Sequence, residues 1–345
     1  MPNQSLYVHV PFCKQKCPYC DFYSCGEQVA SLYSLQAAYI ERCIEILRAQ
    51  KQTWQTAYIG GGTPSVLPPE MLKRLLGEID CAGEFTIECN PTSVTPAFCE
   101  VVAASQVNRV SLGLQSAVES ERKALGRQGS LAQVERALDM LNIDNLSLDV
   151  MLGIPGQTRE SLTRTLEFCE AAGAKHVSAY LLKIEPGTKF YETLPTNLPD
   201  EDAQAELYLH TCEWLEQHGF AQYEISNFAK PGCESQHNLN YWTCGEYFAI
   251  GPGAHGFTQG NRWHYPRDLD AFLRGGAPID DGPGGDETER TMLALRLTKG
   301  ILSPSAGLCE RAAGLDKYVI IDEKGLRLTR EGFLLSNMVT GRLLG

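Results

Sequence analysis

The chain has 345 residues, 43% of them hydrophobic, and its 30 basic against 42 acidic residues give a formal net charge of -12, which argues against a nucleic-acid partner because that binding needs a positive footprint. Its length suits one large α/β domain with an appendage, and the lack of a long apolar run or a charged-then-apolar leader reads as a cytoplasmic protein with no spanning helix. Thirteen cysteines, an odd number spread from Cys13 to Cys309, do not read as a disulfide framework and fit a reducing compartment.

In chain order, β-rich runs at 5–10, 56–60, 84–88, 109–114, 146–152 and 176–182 alternate with helix-like stretches at about 31–50, 68–79, 95–104, 130–142, 158–172 and 200–218. Helix starts are marked by Thr95-Pro96 and by Thr158 followed by Glu160. Six β/α units demand a parallel sheet, while the pattern leaves an open doubly wound sheet and a partial or full barrel as alternatives. The loops after the strands gather the unusual chemistry: a cysteine loop, GGGTP (60–64), ECNP (88–91), GLQS (113–116), GIPGQT (153–158) just beyond Asp149, and Lys183 with EPGT (185–188). Any one of them is explained as a turn, but six in the same topological position point to a shared site at one rim.

The first loop, VPFCKQKCPYCDF (10–22), carries Cys13, Cys17 and Cys20 in C-x3-C-x2-C spacing. Thiolates suit zinc or an iron-sulfur cluster, and three from one loop leave one corner of a four-iron cube without a protein ligand. A structural Cys3His zinc site, completed by His9 or a distant histidine, is the alternative, although no second C-x2-C pair is present. GGGTPS lacks the Lys-Ser/Thr of a phosphate loop and the spacing of a dinucleotide fingerprint.

C-x3-C-x2-C after the first strand, GGGTP after the second and polar rim residues on six β/α units resemble the radical S-adenosylmethionine superfamily. The resemblance narrows to the group containing oxygen-independent coproporphyrinogen III oxidase and the heme chaperones of HemW type. It implies a partial (β/α)6 TIM-like barrel, with Cys13, Cys17 and Cys20 holding a 4Fe-4S cluster whose open iron is chelated by S-adenosylmethionine. It further implies that Tyr7 and Tyr19 line the cluster, that Gly61, Gly62 and Thr63 offer backbone to the methionyl end, and that Glu88, Gln115, Arg127, Asp149 and Lys183 hold the rest of the cofactor. Three features separate the branches. Phe22 stands two beyond Cys20, where the oxidase has a further cysteine, and the oxidase's extension before the first strand has no counterpart here. SQHNLNYW (235–242) contains H-N-x-x-Y-W, which resembles the heme-binding motif of the chaperone branch.

That motif makes His237 the expected heme-iron ligand, with Tyr241 and Trp242 as flat surfaces for the porphyrin. KPGCES (230–235) suggests an exposed loop giving access, and Cys233 and His255 are candidate second ligands. Beyond it, GPGGD (282–286) reads as a linker, followed by helices at 287–299 and 304–313, a hairpin at 318–329 turning at Lys324-Gly325, and a last helix: a winged-helix-like α+β region with too balanced a charge for DNA. The expected division is a core over 1–220, a barrel extension with the heme-motif loop over 221–281, and the C-terminal region over 282–345. The implied function is transfer of heme to apo-hemoproteins, whose own locations can bring the carrier to a membrane surface. Oxidative decarboxylation of coproporphyrinogen III is the enzymatic alternative.

Overall fold

A computed structural model of the chain describes residues 4–26 and 32–345. Six parallel strands form its centre in sequential order: β1 (Ser5–Val10), β2 (Thr56–Gly61), β3 (Phe85–Cys89), β4 (Arg109–Gln115), β5 (Asn145–Leu152) and β6 (His176–Leu181). They coincide with the expected runs to within a residue at each end. Between them lie the helices Tyr33–Gln50, Pro69–Gly77, Pro96–Ala103, Leu131–Met140, Arg159–Ala171 and, after β6, Glu201–Gln217. Residue 31, the expected start of the first, lies outside the described residues. The start signals act as expected: Thr95 and Thr158 accept from the backbone N–H of Phe98 and Ser161, satisfying donors that a helix start leaves without partners.

The sheet grows beyond the six strands at both edges. β7 (Ala221–Glu224) and β8 (Asn227–Ala229) add antiparallel next to β6. At the other edge β9 (Tyr247–Ile250) pairs parallel with β1, and β10 (His255–Thr258), β11 (Asn261–His264) and β12 (Ile279–Pro283) continue antiparallel. The resulting twelve-stranded order has two ends, β12 and β7, so the architecture is a partial barrel. This selects among the alternatives that the β/α pattern left open. Leu6, Val8, Val10, Ile59, Ile87, Val110, Leu112, Leu148, Val150 and Val177, all buried, face the helices and form the main core. Alternate residues point inward and are polar, which reverses the usual sense of a barrel interior.

Three details of the C-terminal half differ from expectation. Gly282 and Pro283 belong to β12 and not to a linker. The helix expected over 287–299 ends at Ala294, because residues 295–298 turn to pair with the β7 edge: Ile225 N donates to Arg296 O at 3.1 Å and Thr298 N to Tyr223 O at 3.1 Å. The last hairpin, β13 (Val319–Asp322) with β14 (Gly325–Leu328), turns one residue early, at Glu323-Lys324. Gly325 has φ +114°, and a Cβ there would lie 2.1 Å from Ile301 O, which is where the hairpin closes onto the preceding segment.

The helix Gln236–Trp242 closes the lower end of the barrel. Glu84, just before β3, caps its first turn by accepting from Ser235 Oγ (3.0 Å), Gln236 N (3.0 Å) and His237 N (3.1 Å). The same carboxylate lies 3.9 Å from the buried guanidinium of Arg109. Removing it leaves a buried cation and three donors without their acceptor. Glu84→Ala should therefore cost about 3 kcal/mol of stability in urea unfolding, and a loss well under ~1 kcal/mol would mean that the cap does not hold this helix.

Candidate functional site

Inward-facing residues of the six strands stand in register across the sheet. Ser5 is opposite Thr56, Tyr7 opposite Tyr58, Glu88 opposite Ser111, Asp149 opposite Ser178 and Ser147 opposite His176. Buried polar groups need partners, and these find one another. Thr56 Oγ1 donates to Ser5 Oγ at 2.8 Å, Ser111 Oγ donates to Asp149 Oδ1 at 3.0 Å, and Ser147 Oγ is 2.8 Å from His176 Nδ1. At the upper rim this polar interior opens into a cavity of ≈ 440 Å³, lined by the cysteine loop and by the ends of β2 through β6.

Twelve of the fourteen expected site residues line that one cavity: Cys13, Cys17, Cys20, Tyr19, Gly61, Gly62, Thr63, Glu88, Gln115, Arg127, Asp149 and Lys183. Burial raises the Cys13 thiol, with neighbouring Cys17 adding to it. Burial, with Cys17 and Cys13 adding to it, pushes Cys20 up to about 11. Two cysteine sulfurs already accept hydrogen bonds, Cys13 from Thr63 Oγ1 and Cys17 from Arg127, each at 3.5 Å. Cys25 is drawn away instead. Its N–H donates to Pro11 O at 2.7 Å, and it is not on the cavity wall. Phe22 stands at the mouth, 63% exposed.

The glycine run is required by what lies beneath it as much as by what faces the cavity. A Cβ on Gly60 would sit 2.7 Å from the Glu88 carboxyl carbon, one on Gly61 2.4 Å from the His9 ring, and one on Gly62 2.6 Å from Val10 O. Gly61 also has φ +99°, a region open to glycine and strained for other residues. Its N–H donates to Glu88 Oε2 at 3.1 Å, and the Tyr58 hydroxyl donates to Oε1 at 2.7 Å. Burial, opposed by these donors and reinforced by nearby Asp149, lifts Glu88 from 4.5 to about 7. Asp149 is raised too, by burial, against hydrogen bonds from Ser178 and Ser111. Gln115 closes β4 with φ +67° beside a bulge in the β4–β5 ladder. A non-glycine held there marks a constrained position. Arg127 donates to Gly113 O at 2.7 Å, and its Nε has no partner.

Tyr7 and His237 are not on the wall. Tyr7 is hydrogen-bonded to His9 Nδ1 at 3.0 Å, next to Tyr58. His9 is bound at both ring nitrogens, the second to Tyr23 O at 2.8 Å, so it has no free nitrogen with which to complete a Cys3His zinc site. The expectation that His237 is accessible is corrected. It is fully buried at the barrel floor, with Nδ1 2.8 Å from Thr56 Oγ1 and Nε2 2.7 Å from the Tyr241 hydroxyl, and burial lowers its pKa to about 3. Its ring stacks on Tyr58 with centroids 5.2 Å apart.

The Radical SAM superfamily model matches residues 7–169. The chain is 35% identical over 381 residues to the heme chaperone HemW of Bacillus subtilis, covering 99% of both chains, and 38% identical over 268 residues to that of Escherichia coli, covering 74% of this chain and 70% of the other. The chain belongs to the HemW branch of the radical SAM superfamily. Among solved structures, coproporphyrinogen III oxidase (HemN) from Escherichia coli, a radical SAM enzyme, superposes with TM-score 0.84 at 18% identity, covering 99% of this chain and 90% of that one, and so shares the fold.

In this HemW-branch chain the cavity wall also includes Asn90, from the ECNP loop, and Tyr58, Ser111 and Tyr180, which no motif marked. A signal for Tyr58, Ser111 and Tyr180 was present: they fall on the same alternate positions of their strands as Glu88 and Asp149. Glu88 generates a pH prediction. A carboxyl whose folded-state pKa is raised holds its proton more tightly in the fold, so its contribution is full below the ordinary value of 4.5 and is lost as pH rises toward about 7. The melting temperature of the protein before cofactor addition should fall between these limits. In Glu88→Gln the fall should be shallower, and an identical slope in thermal scans would show that Glu88 titrates as an ordinary carboxylate.

Proposed function

We propose that the protein is a heme carrier that holds a 4Fe-4S cluster and S-adenosylmethionine and delivers heme to apo-hemoproteins. The observation that carries this reading is the convergence of three cysteines with Glu88, Gln115, Arg127 and Asp149 on one cavity, in a chain that aligns end to end with a HemW chaperone. The donor set fits the cluster, because Cys13, Cys17 and Cys20 come from one loop and face a space lined by polar side chains. When bound, the cluster and S-adenosylmethionine supply one-electron chemistry.

This chain's residues divide the remaining work. Hydrogen bonds from Thr63 and Arg127 to cysteine sulfur tune the charge held on the loop. Gly61 and Gly62 let the methionyl end approach the backbone. Glu88 and Asp149 accept from the amino group or ribose hydroxyls, Arg127 pairs with a carboxylate, and Gln115 and Lys183 complete the wall. Binding a cationic amino group favours ionised Glu88, offsetting the burial that raises its pKa.

Ligation of heme iron by His237 requires the helix Gln236–Trp242 to leave the barrel floor. The imidazole must give up Thr56 or Tyr241 and unstack from Tyr58 before a nitrogen can face iron. Heme uptake is thus coupled to opening of the floor.

Electron paramagnetic resonance of the anaerobically reconstituted, reduced protein should change on adding S-adenosylmethionine, and an unchanged spectrum removes the cofactor from the open iron. With coproporphyrinogen, reductant and S-adenosylmethionine, no sustained protoporphyrinogen formation is expected, and steady turnover would replace the carrier by the enzyme. For the floor, heme should speed amide exchange across 235–243, and His237→Ala should alter the heme absorption spectrum. Unaltered exchange, spectrum and affinity would move heme to another ligand.

A further inference from the structure

Past β9 the sheet becomes antiparallel, and its last three strands assemble a second group of ligating side chains. β10 and β11 pair with His255 directly opposite His264, and the two imidazoles lie 5.2 Å apart with planes inclined by 25°. The β11–β12 ladder contains an irregularity: Trp263 is opposite Asp280 and Arg262 opposite Gly282, which leaves Asp281 as an extra residue with no partner on β11. A bulge of this kind re-aims a side chain. Here it sets both Asp281 oxygens 2.9 Å from His264 Nδ1. One donor atom from each of His255, His264 and Asp281 lies within 4.8 Å of the other two.

His255 and Asp281 are exposed and His264 is partly buried, so an ion there is reachable from solvent. Two arginines lie close enough to oppose a cation, but each has its own carboxylate. Arg262 pairs with Glu289 at 2.8 Å and Arg267 with Asp21 at 3.4 Å.

We propose that His255, His264 and Asp281 form a site for a divalent first-row transition-metal ion, with zinc the best match, separate from the cysteine loop. Two imidazoles and a carboxylate are a donor set for such ions, with water completing the shell. For His264 to offer Nδ1 to the ion, the proton that faces Asp281 moves to Nε2, so the ring ligates as its other tautomer and the carboxylate is freed for the ion. The site neighbours the cysteine loop. Asp21, the residue after Cys20, is held by Arg267, and a Cβ on Gly253, two residues before His255, would meet Tyr23 at 3.1 Å. Metal binding there stiffens the sheet edge on which that loop rests.

The test uses tag-free, full-length protein carrying its cluster, titrated with cobalt(II) by visible absorption and with zinc by calorimetry. The expected result is one ion per chain, with cobalt bands that lack sulfur-to-metal charge transfer. His255→Ala or His264→Ala should weaken binding at least ~100-fold and Asp281→Asn about 10-fold, with iron content and the melting temperature of the zinc-free protein unchanged. Equal binding by the His255→Ala/His264→Ala double variant, a cobalt spectrum showing thiolate ligation, or no zinc bound by the parent protein overturns the assignment. So does ferric heme taken up through His255 by protein that binds no zinc.

Discussion

A sheet that curls around a polar interior must satisfy each buried donor and acceptor with another from the same interior, and that requirement organises this molecule. At the floor, Ser5, Thr56, His237 and Tyr241 form one chain of hydrogen bonds, and Ser147, His176 and Tyr223 form another. Higher up, Tyr58 and Gly61 share Glu88, while Ser111 holds Asp149. The network runs from the floor to the rim, where it meets the cavity, and leaves Thr86 Oγ1 and Arg109 Nε in its lower half without hydrogen-bond partners. Among its unpartnered atoms is the buried Arg127 Nε, on a side chain that lines the cavity.

Shape follows from the same constraint. Carboxylates and aromatic side chains fill the interior, so the strands next to them must give way, and the three consecutive glycines on β2 and its loop do so. The helix below the floor is short, seven residues, and is fixed mainly by charge, through one carboxylate at its first turn. Strands added at both edges leave the barrel open along its side while protecting the six central strands from acting as exposed edges. No helix among the described residues is long and apolar enough to cross a membrane.

Much of this was readable in advance because it is local. Strand ends agree with the apolar runs, helix starts with Thr95, Thr158 and their prolines or acids, and the cysteine loop with its spacing. Non-local facts were not readable. That His237 faces inward depends on Glu84, 153 residues earlier in the chain, and a motif read as exposed carried no trace of that contact. The early end of the helix after Glu287 reflects a pairing with β7 that only the assembled sheet provides. The inward polar residues were legible in principle, but each strand was read for its apolar side, and the complementary face gave no separate signal until six strands stood in register.

Tyr58 is a party wall. One face of its ring carries His237 from below, and its hydroxyl carries Glu88 from above. A ligand that prefers one position of this ring at either storey changes the cost of occupying the other storey by an equal amount, since linkage between two sites is reciprocal. Floor and upper storey thus meet at a single phenol.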